Sequence, residues 1–73
     1  MDIIQLLLCL DENAYDLISI ITKNGNTVYY MDEIPSIMRY TYGYRIKLIS
    51  MEMRDTRRIL VLFLEDKNDC IWN

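Results

Sequence analysis

LISIITKNGNTVYYM, residues 17–31, decides the fold of this chain because it fits either the end of a helix or a β-hairpin. In the helical interpretation, apolar residues recur at spacings of three and four through residues 2–23, and this phase continues across the polar residues 11–13. Asn24-Gly25 would then end the helix with a left-handed cap. In the alternative, Asn24-Gly25 is the turn of a hairpin, since Asn-Gly favours such turns. We favour the single helix, because two unrelated strands would have no reason to preserve a helical phase.

The residues that follow predict a strand and then a second helix. Residues 27–31, TVYYM, are β-branched and aromatic, which is typical of a short strand. Asp32 is suited to cap a helix, and Pro35 is tolerated in the first turn of one. Gly43 should end this helix in a backbone conformation with positive φ. The last turn of the helix then contains Arg39, Tyr40 and Tyr42.

The C-terminal half predicts two strands joined by a turn. Residues 44–53 alternate between apolar and polar side chains, but the phase slips near Leu48-Ile49, which indicates a β-bulge there. RDTR at residues 54–57 is polar and should form the turn. Residues 59–64, ILVLFL, are apolar without alternation, as expected of a strand that is covered on both faces.

Together these elements predict a two-layer α+β fold in the order α-β-α-β-β. The sheet should be mixed and three-stranded, with residues 59–64 between residues 27–31 and residues 44–53. Two helices would cover one face of this sheet, and no further segment is left for the other face. We therefore expect one domain over residues 1–66, a C-terminal tail over residues 67–73, and a homodimer or a bound partner on the uncovered face.

Composition excludes most catalytic and metal-binding chemistry. The 73 residues include no histidine, so the usual nucleophile pairs cannot form, and two cysteines alone cannot supply four zinc ligands. Cys9 lies in an apolar run and Cys70 lies near the end, which does not suggest a disulfide framework. Gly25 and Gly43 are isolated, so there is no phosphate-binding glycine loop. We expect a protein without enzymatic activity and without a cofactor or metal.

Nothing in the sequence predicts export or membrane insertion. The apolar residues 3–10, IIQLLLCL, are too few to span a bilayer, and Asp2 stands where a secretory signal would carry a basic residue. We therefore expect a cytoplasmic protein with reduced thiols. Frequent Ile, Asn, Tyr and Met, with Ala14 as the only alanine, indicate an A/T-rich genome and a phage or mobile-element source. Such a source would place the protein in the cytoplasm of a host cell.

Charge is distributed unevenly along the chain, whose net charge is −3. Residues 1–36 carry six acidic residues against Lys23 alone, and residues 37–58 carry six basic residues against two acidic ones. The sequence therefore predicts a small protein-binding module, an inhibitor or regulator of a host protein of the anti-defence type. An acidic helix face would engage a basic surface on that protein. The residues of this acidic face are Asp11, Glu12 and Asp16.

RYTYGYR, residues 39–45, supports an alternative in another functional class. Arginine and tyrosine alternate here in a pattern that can neutralise phosphates and stack on bases, as in nucleic-acid binding. The acidic balance of the chain opposes this alternative, because nucleic-acid-binding domains are usually basic. The same tyrosines also suit a helix end that packs on its own sheet. The residues proposed for nucleic-acid contact are Arg39, Tyr40, Tyr42, Tyr44, Arg45, Lys47, Arg57 and Arg58.

Overall fold

The computed structural model describes residues 2–67. These residues form two helices and four strands, and a short 3-10 turn at Met31–Glu33 precedes the second helix. Cys70 and the rest of the predicted tail after Lys67 lie outside the described residues. The helices are α1 (Ile3–Cys9) and α2 (Ile34–Tyr40), and the strands are β1 (Leu17–Thr22), β2 (Gly25–Tyr30), β3 (Tyr44–Arg54) and β4 (Arg57–Asp66).

The four strands form one mixed sheet in the order β2-β1-β4-β3. β1 pairs with β2, and β3 pairs with β4, in two antiparallel hairpins. The hairpins join through a parallel pairing of β1 with β4, in which Ile18 lies beside Leu60 and Ile20 lies beside Leu62. The α+β class and the mixed sheet are confirmed, but the sheet has four strands where the sequence predicted three.

The predicted helix over residues 2–23 is wrong. The first helix ends at Cys9, because Leu10 has the extended dihedral angles φ −68° and ψ 135°. The chain then turns, and the Asp11 carboxylate accepts a hydrogen bond from the Asn13 N–H at 2.9 Å. An aspartate that binds the backbone two residues further on stabilises a turn in competition with a helix. The polar segment therefore separates the helix from the next element.

Residues 17–22 form the strand β1 because they are apolar on both faces and rich in β-branched residues. Ile18 and Ile20 are fully buried toward the helices, and Leu17 and Ile21 are half-buried on the opposite face. A short run that is apolar on both sides fits more than one periodicity, so the helical spacing was coincidental. As a consequence β1, and not β2 as predicted, is the neighbour of β4.

The two hairpins turn in different ways. Between β1 and β2 the turn residues are Lys23 and Asn24, and Gly25 begins β2 with a φ of 133°. Between β3 and β4 the turn residues are Asp55 and Thr56, with φ values of 51° and 67°, which confirms the turn predicted there. Positive φ at both central residues suits a two-residue hairpin turn. A β-branched residue such as Thr56 adopts it at a cost in backbone energy.

The second helix confirms Pro35 in its first turn and differs from the prediction at both ends. Its N-cap position is Glu33 rather than Asp32, and the Glu33 carboxylate accepts a hydrogen bond from the Tyr30 N–H at 2.7 Å. After the helix, Gly43 does not adopt the predicted positive φ. The chain therefore leaves the helix through an ordinary turn and enters β3 without a left-handed residue.

Both helices pack on one face of the sheet and form the core with it. The register of β3 shifts between Ile46 and Leu48, so a bulge lies at Lys47, one residue before the predicted position. Beyond this bulge, the even-numbered residues of β3 lie on the face away from the helices. The buried residues of the core are Ile3, Leu7, Ile18, Ile20, Ile37, Leu60, Leu62 and Leu64.

Candidate protein-binding site

The face of the sheet that neither helix covers, which we call the open face, is largely apolar. Because side chains alternate along each strand, the register assigns every second residue of the four strands to this face. β1 and β4 supply its centre, and β2 and β3 supply its margins. Its apolar residues are Leu17, Ile21, Val28, Tyr30, Leu48, Ile59, Val61 and Phe63.

The centre of the open face is a groove whose floor contains Ile59 and Val61 of β4. These two side chains are only 7% and 6% exposed, although neither helix of residues 2–67 lies over them. Val28 shields them on one side, and Glu52 and Arg54 shield them on the other. Toward the β3–β4 turn the groove has a volume of about 430 Å³. An apolar floor between flanking side chains is suited to receive an apolar side chain of another protein.

Polar groups surround this groove. The Ser19 hydroxyl donates a hydrogen bond to the side-chain oxygen of Asn26 at 2.6 Å, between β1 and β2. The Glu52 carboxylate accepts a hydrogen bond from the Arg54 guanidinium at 2.9 Å. Arg57 lies at the end of the groove, is exposed, and makes no ion pair with the part of the chain that the structure describes. The groove therefore offers a partner both apolar contact and a positive charge.

The three acidic residues predicted to bind a partner do not share a helix face. Asp11 and Glu12 are exposed in the turn after α1. Asp16 joins the two hairpins, because its carboxylate accepts a hydrogen bond from the Arg58 N–H at 2.8 Å and lies 3.6 Å from the Arg58 guanidinium. The Asp16 N–H also donates to the Arg58 carbonyl at 2.8 Å. The backbone hydrogen bond and the guanidinium of Arg58 lower the pKa of Asp16.

Two tyrosines of the RYTYGYR segment pack against the protein itself. The ring of Tyr40 lies between those of Tyr29 and Tyr44, with ring centroids 6.2 Å and 6.4 Å apart. These distances are typical of favourable aromatic pairs. Thr41 is buried, and its hydroxyl donates a hydrogen bond to the Ile37 carbonyl at 2.8 Å. The segment therefore contains a packed helix end, in agreement with the structural interpretation of these tyrosines.

The remaining residues of the nucleic-acid hypothesis are partly engaged and partly exposed. Arg45 donates a hydrogen bond to the Glu65 carboxylate at 2.8 Å across β3 and β4, and Arg58 is paired with Asp16. Tyr42 lies beyond the end of α2 and is 83% exposed. Nucleic-acid binding by this segment stays a prediction. Among the basic residues of this hypothesis, Arg39, Arg45, Lys47 and Arg57 are exposed, and Arg58 is half-buried.

The sequence analysis did not identify the groove. The helical interpretation places Leu17, Ser19 and Ile21 on a helix, and so conceals the face that they form with Val28. The hairpin alternative, with its Asn-Gly signal, would have placed all four on adjacent strands. A signal for the first hairpin was therefore present in the sequence, but the helical spacing of apolar residues outweighed it.

No family model, no curated protein and no solved structure matches this chain. Among residues 2–67, no helix is long and apolar enough to cross a lipid bilayer. The open face and the exposed residues around it are therefore the basis for a functional proposal.

Proposed function

We propose that this chain is a non-enzymatic protein-binding module that engages a partner protein through the open face. The observation that carries the proposal is the groove, whose floor of Ile59 and Val61 is shielded by flanking side chains but covered by neither helix of the described residues. Apolar anchors that insert into such shielded pockets dominate the energy of protein–protein contacts. The narrower role, an inhibitor or regulator from a phage or mobile element, rests on the composition of the chain alone.

The chemistry of the groove defines the partner that would fit it. An apolar side chain would contact the floor, and a carboxylate beside it would meet Arg57, which has no ion-pair partner among the described residues. Such a contact at the margin contributes more to specificity and association rate than to affinity. Asp11 and Glu12 stay candidates for contact with a basic region of the same partner, because both are exposed.

Site-specific photo-crosslinking in a lysate of the native host tests this proposal. A photoreactive residue at Val28, which is 54% exposed on the open face, should form a discrete adduct with one protein. Excess unlabelled wild-type protein should abolish the adduct, and excess Val28→Arg protein should not. Leu8 is the matched control, because it is 71% exposed in the helix layer on the other side of the sheet. Adducts from position 8 alone, or from neither position, would contradict the proposal.

The nucleic-acid alternative leads to a different measurement. Binding through residues 39–47 would weaken steeply as salt rises, because cations are released from each neutralised phosphate. Tyr42→Ala would then reduce affinity for a single-stranded oligonucleotide, since this ring is the most exposed of the segment's tyrosines. We expect no binding to such an oligonucleotide at physiological salt. Tight, salt-sensitive binding would favour the alternative over the open face.

A further inference from the structure

The outer edge of β3 is an unpaired strand edge among the described residues. β3 is 11 residues long and pairs with β4 alone, so alternate N–H and C=O groups of its other edge face outward. Long regular edges of this kind are templates for pairing with another strand. The bulge at Lys47 interrupts the edge, and residues 48–54 beyond it form a regular stretch.

Three apolar residues of this stretch, which we call the ledge, lie on the helix side of the sheet without a helix over them. They are exposed to unusual degrees for apolar residues: Ile49 by 44%, Met51 by 67% and Met53 by 68%. The reason is their place in the sheet. Ile49 and Met51 lie beside Leu62 and Leu60 of β4, which are buried under the helices, whereas β3 is the edge strand. The helices bury β1 and β4 and leave the ledge uncovered.

The ledge is self-complementary in one antiparallel register. Residues 48–54 pair with the same residues of a second copy from end to end only when Met51 lies opposite Met51 on the two-fold axis. Ile49 of one copy then lies opposite Met53 of the other, so the three apolar pairs form one continuous row. Cross-strand pairs of this kind are the units that stabilise a sheet.

The same register also keeps like charges on the open face from lying directly opposite each other. Leu48 lies opposite Arg54 of the other copy, and Ser50 lies opposite Glu52, so no like charges meet directly. The two Glu52 carboxylates lie diagonally across the axis, and each stays paired with the Arg54 guanidinium of its own chain at 2.9 Å. Like charges directly opposite would be destabilising, and this register avoids them.

The edge of β2 is a poorer candidate for the same contact. It has six residues, and it begins with the polar sequence Gly25, Asn26 and Thr27. Glycine and asparagine are depleted in strands and add little cross-strand packing. The sheet therefore has one edge suited to pairing with a copy of itself and one edge that is not.

We propose that two copies of this chain associate through β3, with Met51 on the two-fold axis, to form a continuous eight-stranded sheet. The partner is a second copy because the ledge pairs apolar residues with apolar residues, and no like charges lie directly opposite, in the register that uses the whole bulge-free stretch. The axis is perpendicular to the sheet, so both open faces lie on the same side. The dimer would present two grooves side by side to a partner, yet it depends on neither groove.

Disulfide trapping and sedimentation test this dimer and its register. In a Cys9→Ser, Cys70→Ser background, Met51→Cys should form an intermolecular disulfide under mild oxidation, because the two cysteines lie opposite each other across the axis. Met53→Cys is the matched control, since its side chain is equally exposed but lies far from its own copy. In sedimentation, Met51→Arg should weaken the dimer about tenfold or more, a change of about 1.4 kcal/mol. Val28→Arg, on the other edge strand, should leave the dimer unchanged.

Two results would overturn the proposal. One is a wild-type protein that sediments as a monomer at every concentration, and the other is faster trapping at position 53 than at position 51. Circular dichroism and denaturant unfolding of Met51→Arg should show an intact fold, because this side chain is 67% exposed. If the protein is a monomer and still forms the photo-adduct at Val28, the dimer is excluded but the proposed function is not.

Discussion

The two hairpins of this protein have the same plan and different surroundings. Each contributes one central strand and one edge strand, and the central strands β1 and β4 join in parallel. The first hairpin is short, with strands of six residues and a polar edge. The second has strands of 11 and 10 residues, and its edge carries exposed Ile49, Met51 and Met53. Similar apolar residues therefore form the core in one strand and an exposed surface in another.

This difference shows that the burial of an apolar residue depends on whether a helix packs over its strand, and not on the composition of the strand. Ile20 of β1 and Ile49 of β3 both point to the helix side of the sheet. Ile20 is fully buried because the helices lie over the central strands. Ile49 is 44% exposed because the helices do not extend over the edge strand β3. The experiments below test this contrast, beginning with the largest expected effect.

Truncating each of these two isoleucines compares a covered strand with an uncovered one. Ile20→Ala should lower the free energy of unfolding by roughly 2–5 kcal/mol, because it leaves a cavity under the helices. Ile49→Ala should cost about 1 kcal/mol or less in the monomer, because solvent already reaches this side chain. Denaturant unfolding at low protein concentration measures both. Equal losses would mean that the edge strand is covered as firmly as the central one.

The two glycines separate backbone strain from steric fit. Gly25→Ala, in the first hairpin, should cost roughly 1–3 kcal/mol, because φ is 133° there although no atom lies within 4 Å of the added Cβ. Gly43→Ala, before the second hairpin, should change stability by less than about 1 kcal/mol, since it has the same free space without that φ. Thermal melts of the two variants make the comparison. A larger loss of stability for Gly43→Ala than for Gly25→Ala would indicate that Gly43 adopts the positive φ of the cap that the sequence predicted.

The turn of the second hairpin contains a removable strain. Thr56→Gly should stabilise the protein by about 0.5–1 kcal/mol, because a β-branched residue at a φ of 67° is disfavoured and glycine is not. For a domain of this size, the melting temperature should rise by a few degrees. Thr56→Ser is the control, since it keeps the hydroxyl and a side chain at this position. A drop in melting temperature for the glycine variant would show that Thr56 is not strained.

The junction between the hairpins should respond to acid through Asp16. The backbone hydrogen bond and the charge of Arg58 lower the pKa of Asp16 in the folded protein, so the ionised form stabilises the fold. This stability is present above the unfolded pKa of about 3.9 and is lost as pH falls through the lower folded pKa. Asp16→Asn should reduce the acid dependence of unfolding. If Asp16→Asn left the acid dependence unchanged, the ion pair and hydrogen bonds of Asp16 with Arg58 would not stabilise the fold as described.

The second hairpin was predictable from the sequence because its edge strand has a solvent-facing side. Alternation along β3 revealed the strand and its bulge to within one residue, and the polar residues 54–57 revealed the turn. The apolar run of β4 indicated a central strand, and the uncovered face followed from having two helices. The signals for β3 and for the turn depend on a contrast between polar and apolar positions.

The first hairpin was missed because β1 lacks this contrast. Its residues are apolar toward both faces, so their spacing was compatible with a helix that continued from residue 3. Which of the two structures forms depends on β4, whose paired residues lie 42 positions further along the chain and which offers β1 a parallel partner. The predicted acidic helix face followed from the helical assignment and was wrong with it. The positive φ predicted at Gly43 rested on local sequence pattern alone, and the structure does not show it. The groove could not be predicted without that distant pairing.

The parallel junction of β1 with β4 is the claim on which the open face, the groove and the ledge all depend. Nuclear Overhauser contacts between backbone protons in the isotope-labelled protein test it most directly. The structure requires contacts between residues 17–21 and residues 59–63 in parallel register, with Ile18 beside Leu60 and Ile20 beside Leu62. Helical contacts between residues three apart through residues 10–21, with none to residues 59–63, would contradict the account.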